Sequence, residues 1–299
     1  MPITAETYDA VVAASGADYT TIQGADDDLD AGAFSLYVKQ GSYAGWETST
    51  NNARIEIEPG TTITSDITLS GNNIELLIGA GCDIQGKVTA TGTDCHIQCE
   101  NGVDLDGVRL GGARGFFCGG GWDTLVDGGT SQGIRLYADD CIAQNARAQS
   151  TPGGGNTVSA VRVDTNARCV VRNIQVVDSD RMGIMVISGS PTDTLIEGCV
   201  VLAADEYAYY AGGHRTKIVG CYGTADGSAV VHMAAAGDNS VVTGNVFVQQ
   251  SANLDVIEIN SSGENCTVVG NRLTGYSGTG EAVDDDSGTS TVADNDTTA

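Results

Sequence analysis

The chain contains little lysine, proline or aromatic residue. Of its 299 residues only Lys39, Lys87 and Lys217 are lysines, four are prolines and 5% are aromatic. It also lacks any uninterrupted apolar stretch of the ~20 residues that a membrane-spanning helix needs. The first sixteen residues include neither a basic segment nor the apolar run of a secretory signal. We therefore expect no membrane insertion, and synthesis in a cytoplasm without an export leader.

Charge of one sign dominates the composition. The chain has 39 acidic and 14 basic residues, a net charge of -25, and 28 of the acids are Asp. Such a chain repels nucleic acid and anionic lipid, so we expect no nucleic-acid partner. The composition resembles that of proteins from extreme halophiles, especially haloarchaea. At molar salt the Debye length is only about 3 Å, so self-repulsion would be screened and low salt would destabilise the protein. An acidic marine or phage protein is the alternative.

Glycine and β-branched residues are abundant, and they recur periodically. The chain has 41 Gly, with Val, Ile and Thr between polar turn residues, as strands joined by tight turns require. A pattern of two branched apolar residues, a polar or Gly step, and then Asn or Cys repeats about every 24 residues. The aligned positions are Asn173, Cys199, Cys221, Asn245, Asn271 and Asn295. A period of this length without a helical pattern predicts an all-β, single-stranded, right-handed parallel β-helix, a solenoid of about 24 residues per coil.

The two ends of the chain differ from the repeat. Thr4 can cap a short helix over residues 5–14, with Gly16 as its stop, and such a helix would cover the open first coil. We therefore divide the chain into an N-terminal cap segment, 1–18, a parallel β-helix, 19–285, and an acidic last coil or tail, 286–299.

Nine cysteines form no CxxC motif. Cys169, Cys199, Cys221 and Cys266 recur near the aligned position, which predicts small buried apolar side chains in a stack. Cys95 with Cys99 could instead form a disulfide or part of a metal site, but His96 alone adds too few ligands for zinc. We therefore predict no metal site here.

The N-terminal part resembles the pectin-lyase-like β-helix superfamily. The segment Tyr19-Thr-Thr-Ile-Gln-Gly24, the acidic residues after it, and Phe34-Ser-Leu-Tyr-Val-Lys-Gln-Gly-Ser-Tyr43 are similar to the motif, helix-like spacer and first coil that open those proteins. The resemblance implies the fold. It does not specify the activity, because the superfamily contains polysaccharide lyases, glycoside hydrolases, pectin esterases and many viral tailspikes and fibres.

Acidic residues follow the aligned position in three neighbouring coils. They are Asp178 and Asp180, then Asp205 and Glu206, then Asp226. Resemblance to polygalacturonase-like hydrolases implies catalytic roles for Asp180, Asp205 and Asp226, with Asp205 as the acid. The match is imperfect, because Asp205-Glu206 replaces an Asp-Asp pair and Ala225-Asp226-Gly227 replaces Gly-His-Gly. A chance acidic cluster and a calcium site, the one cofactor considered, are the alternatives.

Aromatic residues are densest beside these acids. Tyr207, Tyr209, Tyr210, His214 and Arg181 are the candidate glycan-binding residues, because sugars stack on such rings. The alternative is that the tyrosines pack inside the coil, with Tyr207 and Tyr209 on one strand face and Tyr210 on the other.

Three functions remain open from the sequence, and the third is a haloarchaeal β-helix protein of cell-surface or unknown role. The first is a structural or receptor-binding protein of a virus particle, a tailspike, fibre or capsid-surface component of a halophilic virus. It would be a homotrimer that contacts other virion proteins and a host surface polysaccharide or glycoprotein, and it would be located in the virion and released by lysis. The second is a glycoside hydrolase or polysaccharide lyase of the pectin-lyase-like fold.

Overall fold

The computed structural model describes residues 8–29, 32–129, 131–150, 159–164, 168–187, 192–234 and 236–298. These residues form one α-helix, α1 at Ile22–Leu29, and 34 short strands in two parallel sheets. Within these ranges, no helix is both long and apolar enough to cross a membrane.

Sheet A has 23 strands and sheet B has 11. Sheet A consists of β1 Ala10–Val12, β2 Ser35–Val38, β3 Ser42–Tyr43, β5 Arg54–Ile57, β6 Thr62–Ile63, β8 Glu75–Ile78, β9 Asp83–Ile84, β11 His96–Cys99, β12 Asp104–Leu105, β14 Phe116–Cys118, β15 Leu125–Asp127, β17 Ile142–Ser150, β19 Val170–Ser179, β21 Leu195–Glu197, β22 Val200–Val201, β24 Lys217–Val219, β25 Tyr222–Ala225, β27 Val241–Thr243, β28 Val246–Gln249, β30 Thr267–Val269, β31 Arg272–Thr274, β33 Thr291–Ala293 and β34 Asp296–Thr298. Sheet B consists of β4 Glu47–Thr48, β7 Ile67–Leu69, β10 Val88–Ala90, β13 Val108–Leu110, β16 Ile134–Leu136, β18 Ser159–Val163, β20 Met182–Val186, β23 Tyr207–Ala211, β26 Val231–Met233, β29 Ile257–Ile259 and β32 Val283–Asp285.

Each coil crosses sheet A in two consecutive strands, or in one long bent strand, and then crosses sheet B once. Every strand pairs in parallel with its equivalent in the next coil. The position of Leu36 thus recurs from Ile55 to Val292, and eleven steps over these 256 residues give a mean of about 23 residues per coil. The predicted parallel β-helix is confirmed.

The interior is a single column of aliphatic side chains. Along most strands inward residues alternate with outward ones, as in β5 and β8. All nine cysteines lie in the described ranges, where eight of them are buried and none forms a disulfide. The four cysteines of the repeat are in this interior, and Cys266 Sγ, for example, lies 3.3 Å from the carbonyl oxygen of Gly237. They therefore act as small core side chains.

The aligned asparagines form a buried ladder. Asn245 Nδ2 donates to Asn271 Oδ1 at 2.8 Å, and Asn271 Nδ2 donates to Asn295 Oδ1 at 3.0 Å. The first of the aligned positions, Asn173, is wrong by one residue. Gln175 pairs with Val200, so Asn173 lies level with Gly198 and not with Cys199. Asn173 and Gly198 both have positive φ, 49° and 62°, which Asn and Gly adopt most readily.

A second ladder follows the turn that precedes sheet A. Ten successive coils place a non-glycine residue with φ between 54° and 60° two positions before the strand: Asn52, Asn73, Asp94, Arg114, Asp140, Arg168, Asp193, Arg215, Asn239 and Asn265. Asn and Asp favour this conformation, whereas Arg does not. Each arginine is paired with an aspartate one coil below, as in Arg168 with Asp140 and Arg215 with Asp193, both at 2.6 Å. Such exposed pairs contribute ~0–1 kcal/mol each.

The N-terminal helix lies later in the chain than predicted. The predicted helix over residues 5–14 is wrong where it is described, because Ala10–Val12 forms β1 and pairs with β2. The helix is α1, in the spacer position that the family resemblance implies. The side chain of Gln23 in α1 accepts a hydrogen bond of 3.0 Å from the backbone N–H of Glu47 and donates one of 3.1 Å to the Glu47 carbonyl. The helix therefore covers the first strand of sheet B, whose open edge would otherwise offer unpaired backbone groups.

At the other end, residues 291–298 continue the solenoid. Strands β33 and β34 pair in register with β30 and β31. Val292 occupies an inward position of this partial coil yet is 44% exposed, because no further coil packs over it.

The asparagine ladder gives a stability prediction. Asn271→Ala removes a 1% exposed amide that bonds Asn245, Asn295 and the carbonyl of Val242. Each partner left unsatisfied costs about 1–3 kcal/mol, so the urea midpoint of unfolding should fall clearly. Gln250→Ala, at an exposed position one coil earlier, is the matched control and should leave the midpoint unchanged. Equal midpoints for both variants would show that the ladder adds no stability.

Candidate functional site

The three predicted catalytic acids are at one corner of the solenoid, where the chain leaves sheet A for sheet B. Asp180 follows the last residue of β19, and Asp226 follows the last residue of β25. Asp205, on the coil between them, donates its backbone N–H to the carbonyl of Ser179 at 3.2 Å. The structure therefore brings these acids together on neighbouring coils.

Their mutual repulsion is visible at Asp205. Partial burial raises the pKa of the Asp205 carboxyl above its usual value, and the charges of Asp226, Asp178 and Asp180 raise it further. Across the described parts of the chain, no three His, Cys, Asp or Glu side chains are grouped so that they could hold a metal ion. The calcium alternative therefore has no ligand set at this corner.

Tyr209 is an interior residue and leaves the set of glycan-binding candidates. Its side chain is fully buried, packs 5.6 Å from the ring of Phe247, and places its hydroxyl 2.7 Å from the carbonyl oxygen of Tyr222. Tyr207 and Tyr209 do not share a face, because Ala208 and Tyr209 are both buried and the alternation of β23 is broken.

Tyr207 and Tyr210 instead form an outward cluster with a residue that the sequence analysis did not select. The ring of His232 lies 4.8 Å from Tyr207 and is stacked 5.2 Å from Tyr210. Its Nδ1 atom lies 2.9 Å from a carboxylate oxygen of Glu258. Only 12% of the His232 side chain is exposed. We call Tyr207, Tyr210, His232 and Glu258 the aromatic cluster.

The other two candidates separate. Arg181 forms an ion pair with Glu206, and its carbonyl accepts hydrogen bonds from the backbone of Glu206 and Tyr207, so it borders the aromatic cluster. His214 precedes β24 of sheet A and lies 3.6 Å from Asp238. His214 therefore belongs to a different corner of the coil.

The aromatic cluster belongs to a column that runs the length of sheet B. The outward residue of each strand pairs with its equivalent in the next coil, in the order Glu47, Thr68, Thr89, Arg109, Arg135, Arg162, Met185, Tyr210, His232, Glu258 and Asp284. Three of the chain's eleven arginines, Arg109, Arg135 and Arg162, thus occupy equivalent positions in three consecutive coils, about 4.8 Å apart. This arginine column is a concentrated positive strip on a protein of net charge -25.

Neighbouring side chains hold the arginine column in place. Arg135 and Arg162 both bind the carboxylate of Asp164, which is only 4% exposed. Arg135 also lies 5.2 Å over the ring of Tyr137. Three positive charges and one negative charge leave this group cationic, and the shared carboxylate and the ring fix the direction of the guanidinium groups.

The contacts of the aromatic cluster define its proton chemistry. An ionised Glu258 carboxylate can only accept a hydrogen bond, so Nδ1 of His232 carries the proton and Nε2 is the basic nitrogen. Burial raises the pKa of the Tyr207 phenol, and the charges of Glu258 and Glu206 add to this. The phenol is therefore protonated at neutral pH. The cluster places a base beside a proton donor.

No family model matches the chain, and no curated protein sequence matches it. Solved structures do. The A-module of a mannuronan C-5 epimerase from Azotobacter vinelandii superposes with a TM-score of 0.50 at 12% identity, covering 93% of this chain and 94% of that one. An alginate lyase from Paenibacillus gives 0.49 at 15% identity, covering 88% and 95%. The pectin methylesterase PemA from Erwinia chrysanthemi gives 0.35 at 14% identity, covering 90% and 80%. The likeness to the epimerase module shows a shared parallel β-helix fold.

Proposed function

We propose that the protein binds an acidic, uronate-containing polysaccharide along the outer face of sheet B and cleaves it by β-elimination at the aromatic cluster. The observation that carries this proposal is the continuous column from Arg109 to His232, in which a cationic strip leads directly to a paired histidine and two tyrosines. Of the three functions left open by the sequence, this is the polysaccharide-active alternative. Viral origin, a trimer and a place in a virion stay predictions.

The charge distribution favours a polyanion at this face. A chain of net charge -25 repels polyanions over most of its surface. The arginine column reverses the sign locally, and guanidinium groups bind carboxylates in a planar, two-point geometry. A polymer lying along the column would meet the half-buried Arg109 and Arg135 before it reached the aromatic cluster, while Arg162, only 11% exposed, lies beneath it against Asp164.

The cleavage step needs three groups. Nε2 of His232 removes the proton from the sugar carbon that bears the carboxylate. The electron pair of that C–H bond forms a carbon–carbon double bond, and the glycosidic C–O bond on the adjacent carbon breaks. The Tyr207 phenol gives its proton to the departing oxygen. Arg181, which borders the cluster, supplies positive charge for the carboxylate as negative charge develops on it.

The first prediction on activity concerns His232, the proposed catalytic base. Wild-type protein incubated with alginate or polygalacturonate should release unsaturated oligosaccharides, detected by ultraviolet absorbance and chain shortening. His232→Gln should reduce kcat by about 10²–10⁴-fold, the usual contribution of a positioned base. The matched control is His214→Gln, because His214 lies at a different corner, and it should retain full activity. Loss of activity in both variants, or in neither, would contradict the assignment.

The second prediction concerns binding. Arg135→Gln should raise KM for the polyuronate about tenfold with kcat nearly unchanged, because a charged hydrogen bond contributes ~1.5–3 kcal/mol. Arg272→Gln makes the same change at an exposed site on sheet A and should leave KM unaltered. If the two variants raise KM equally, net charge rather than the arginine column governs binding.

Hydrolysis is the second candidate, and the raised pKa of Asp205 favours it. A carboxyl whose pKa is raised by burial and by the charges of Asp226, Asp178 and Asp180 is the best suited of these acids to act as a general acid, with Asp226 or Asp180 as its partner. Hydrolysis would give saturated reducing ends without ultraviolet absorbance. Their release by wild-type protein and loss in Asp205→Asn would replace elimination by hydrolysis.

Asp205 also gives a stability prediction that is independent of activity. Its pKa is raised in the folded state, so folding favours the protonated form, and its ionisation destabilises the fold as pH rises through the carboxyl range. Asp205→Asn should therefore raise Tm at neutral pH. It should leave Tm unchanged at a pH where the Asp205 carboxyl is protonated in both the folded and the unfolded state. Thermal melts at the two pH values, at low salt, measure this. A variant that is less stable at neutral pH would contradict the repulsion.

A further inference from the structure

A second site lies on sheet A, where the shape of the coil changes. In three early coils the two strands of sheet A are joined by four residues, at 58–61, 79–82 and 100–103, and in the next coil by six, at 119–124. From Asn145 onward a single residue with positive φ makes the bend, and the strand continues almost directly. The last wide turn therefore projects beyond the narrower coils that follow, and a step forms in the surface.

The turn at 119–124 folds over this step. Trp122 Nε1 donates a hydrogen bond of 3.2 Å to the carbonyl oxygen of Asn173, two coils away and 51 residues later. The three glycines before it make this approach sterically feasible. A Cβ on Gly119 would lie 2.3 Å from the carbonyl oxygen of Asn145, and a Cβ on Gly120 would lie 2.2 Å from the backbone of Glu100. The indole is thus fixed in place, although 46% of its surface is exposed.

The fixed indole closes one side of a cavity of about 520 Å³, a size typical of small-ligand sites, ~300–1,000 Å³. The amide side chains of Gln98, Asn145 and Asn173, the residues Cys99 and Cys118, and residues 119–121 form the rest of its lining. None of the nine lining residues carries a formal charge. On a chain with 53 charged side chains, this lining differs from both the acidic corner and the arginine column.

We propose that this cavity binds a neutral sugar unit of a glycan. A sugar presents an apolar C–H face that packs on an aromatic ring, and hydroxyl groups that both donate and accept hydrogen bonds. The Trp122 ring supplies the first contact, and carboxamides supply donors and acceptors together. An anionic sugar would find no cation here to offset the desolvation of its charge. Because the indole is already held by Asn173, little ordering is needed on binding.

This inference does not depend on the proposed cleavage on sheet B, because the cavity lies on sheet A and uses other residues. The two sites would divide the work on a mixed glycan. Sheet B would take the acidic chain, and the cavity would hold a neutral chain or branch.

Tryptophan fluorescence tests the proposal directly. The chain has two tryptophans, and Trp46 is only 4% exposed, so the solvent-sensitive emission comes from Trp122. Full-length protein is titrated with maltohexaose, cellohexaose and mannohexaose, and with a hexameric oligouronate. We expect a saturable emission change and protection from acrylamide quenching with at least one neutral probe. Calorimetry should then show about tenfold weaker binding in Trp122→Ala, as when one stacked ring is removed.

Gln98→Ala should weaken the same binding several-fold. Leu202→Ala, at another exposed apolar side chain directly after β22, is the matched control and should bind like wild type. The proposal is overturned if no neutral probe gives a saturable change, if the affinity survives Trp122→Ala, or if the oligouronate binds as tightly as the best neutral probe. Polyuronate cleavage is measured separately and is not expected to change in Trp122→Ala.

Discussion

The hydrogen-bonded register between successive coils is the constraint on which the rest of the structure depends. Each strand donates and accepts only at its equivalent positions one coil away, so a residue type placed once per coil becomes a continuous column. The asparagine ladder, the Asp and Arg turn pairs and the arginine column all follow from it. The surroundings of a side chain therefore depend less on its neighbours in sequence than on the residues about two dozen positions before and after it.

The register also concentrates weak effects. A single exposed arginine contributes little, but three on adjacent rungs of sheet B create a local field opposite in sign to that of the whole chain. The same spacing raises the cost of like charges, so that the charges of Asp226 and Asp178 add to burial in raising the pKa of Asp205. The two columns lie on different coils, with the arginines on β13, β16 and β18 and the acids just before β20, β23 and β26. Under the proposed function, this contrast would direct an anionic polymer to the arginine end of sheet B.

The sequence predicted the fold well because the period and the β-branched pattern are local and repeated many times. The site was harder to predict. Our alignment followed the Asn and Cys positions of sheet A, whereas His232 and Glu258 lie in sheet B and are 26 residues apart. Writing the short segments VHM and IEI beneath YYA would have aligned Tyr210, His232 and Glu258. The burial of Tyr209 could not be read from alternation, since Ala208 beside it is buried too. The helix was misplaced because Val11 and Val12 fit a strand as well as an amphipathic helix.

The Asp and Arg pairs at the turn before sheet A make the charges at this corner depend on the number of coils. From Asp94 to Arg215 the sign alternates at every coil, and each arginine accepts a backbone conformation that it does not favour while an aspartate lies one rung below. Loss of the coil that carries Arg114 would bring Asp94 against Asp140, and duplication of the same coil would stack two arginines. This part of the solenoid can therefore be lengthened or shortened without a charge clash only by two coils at a time.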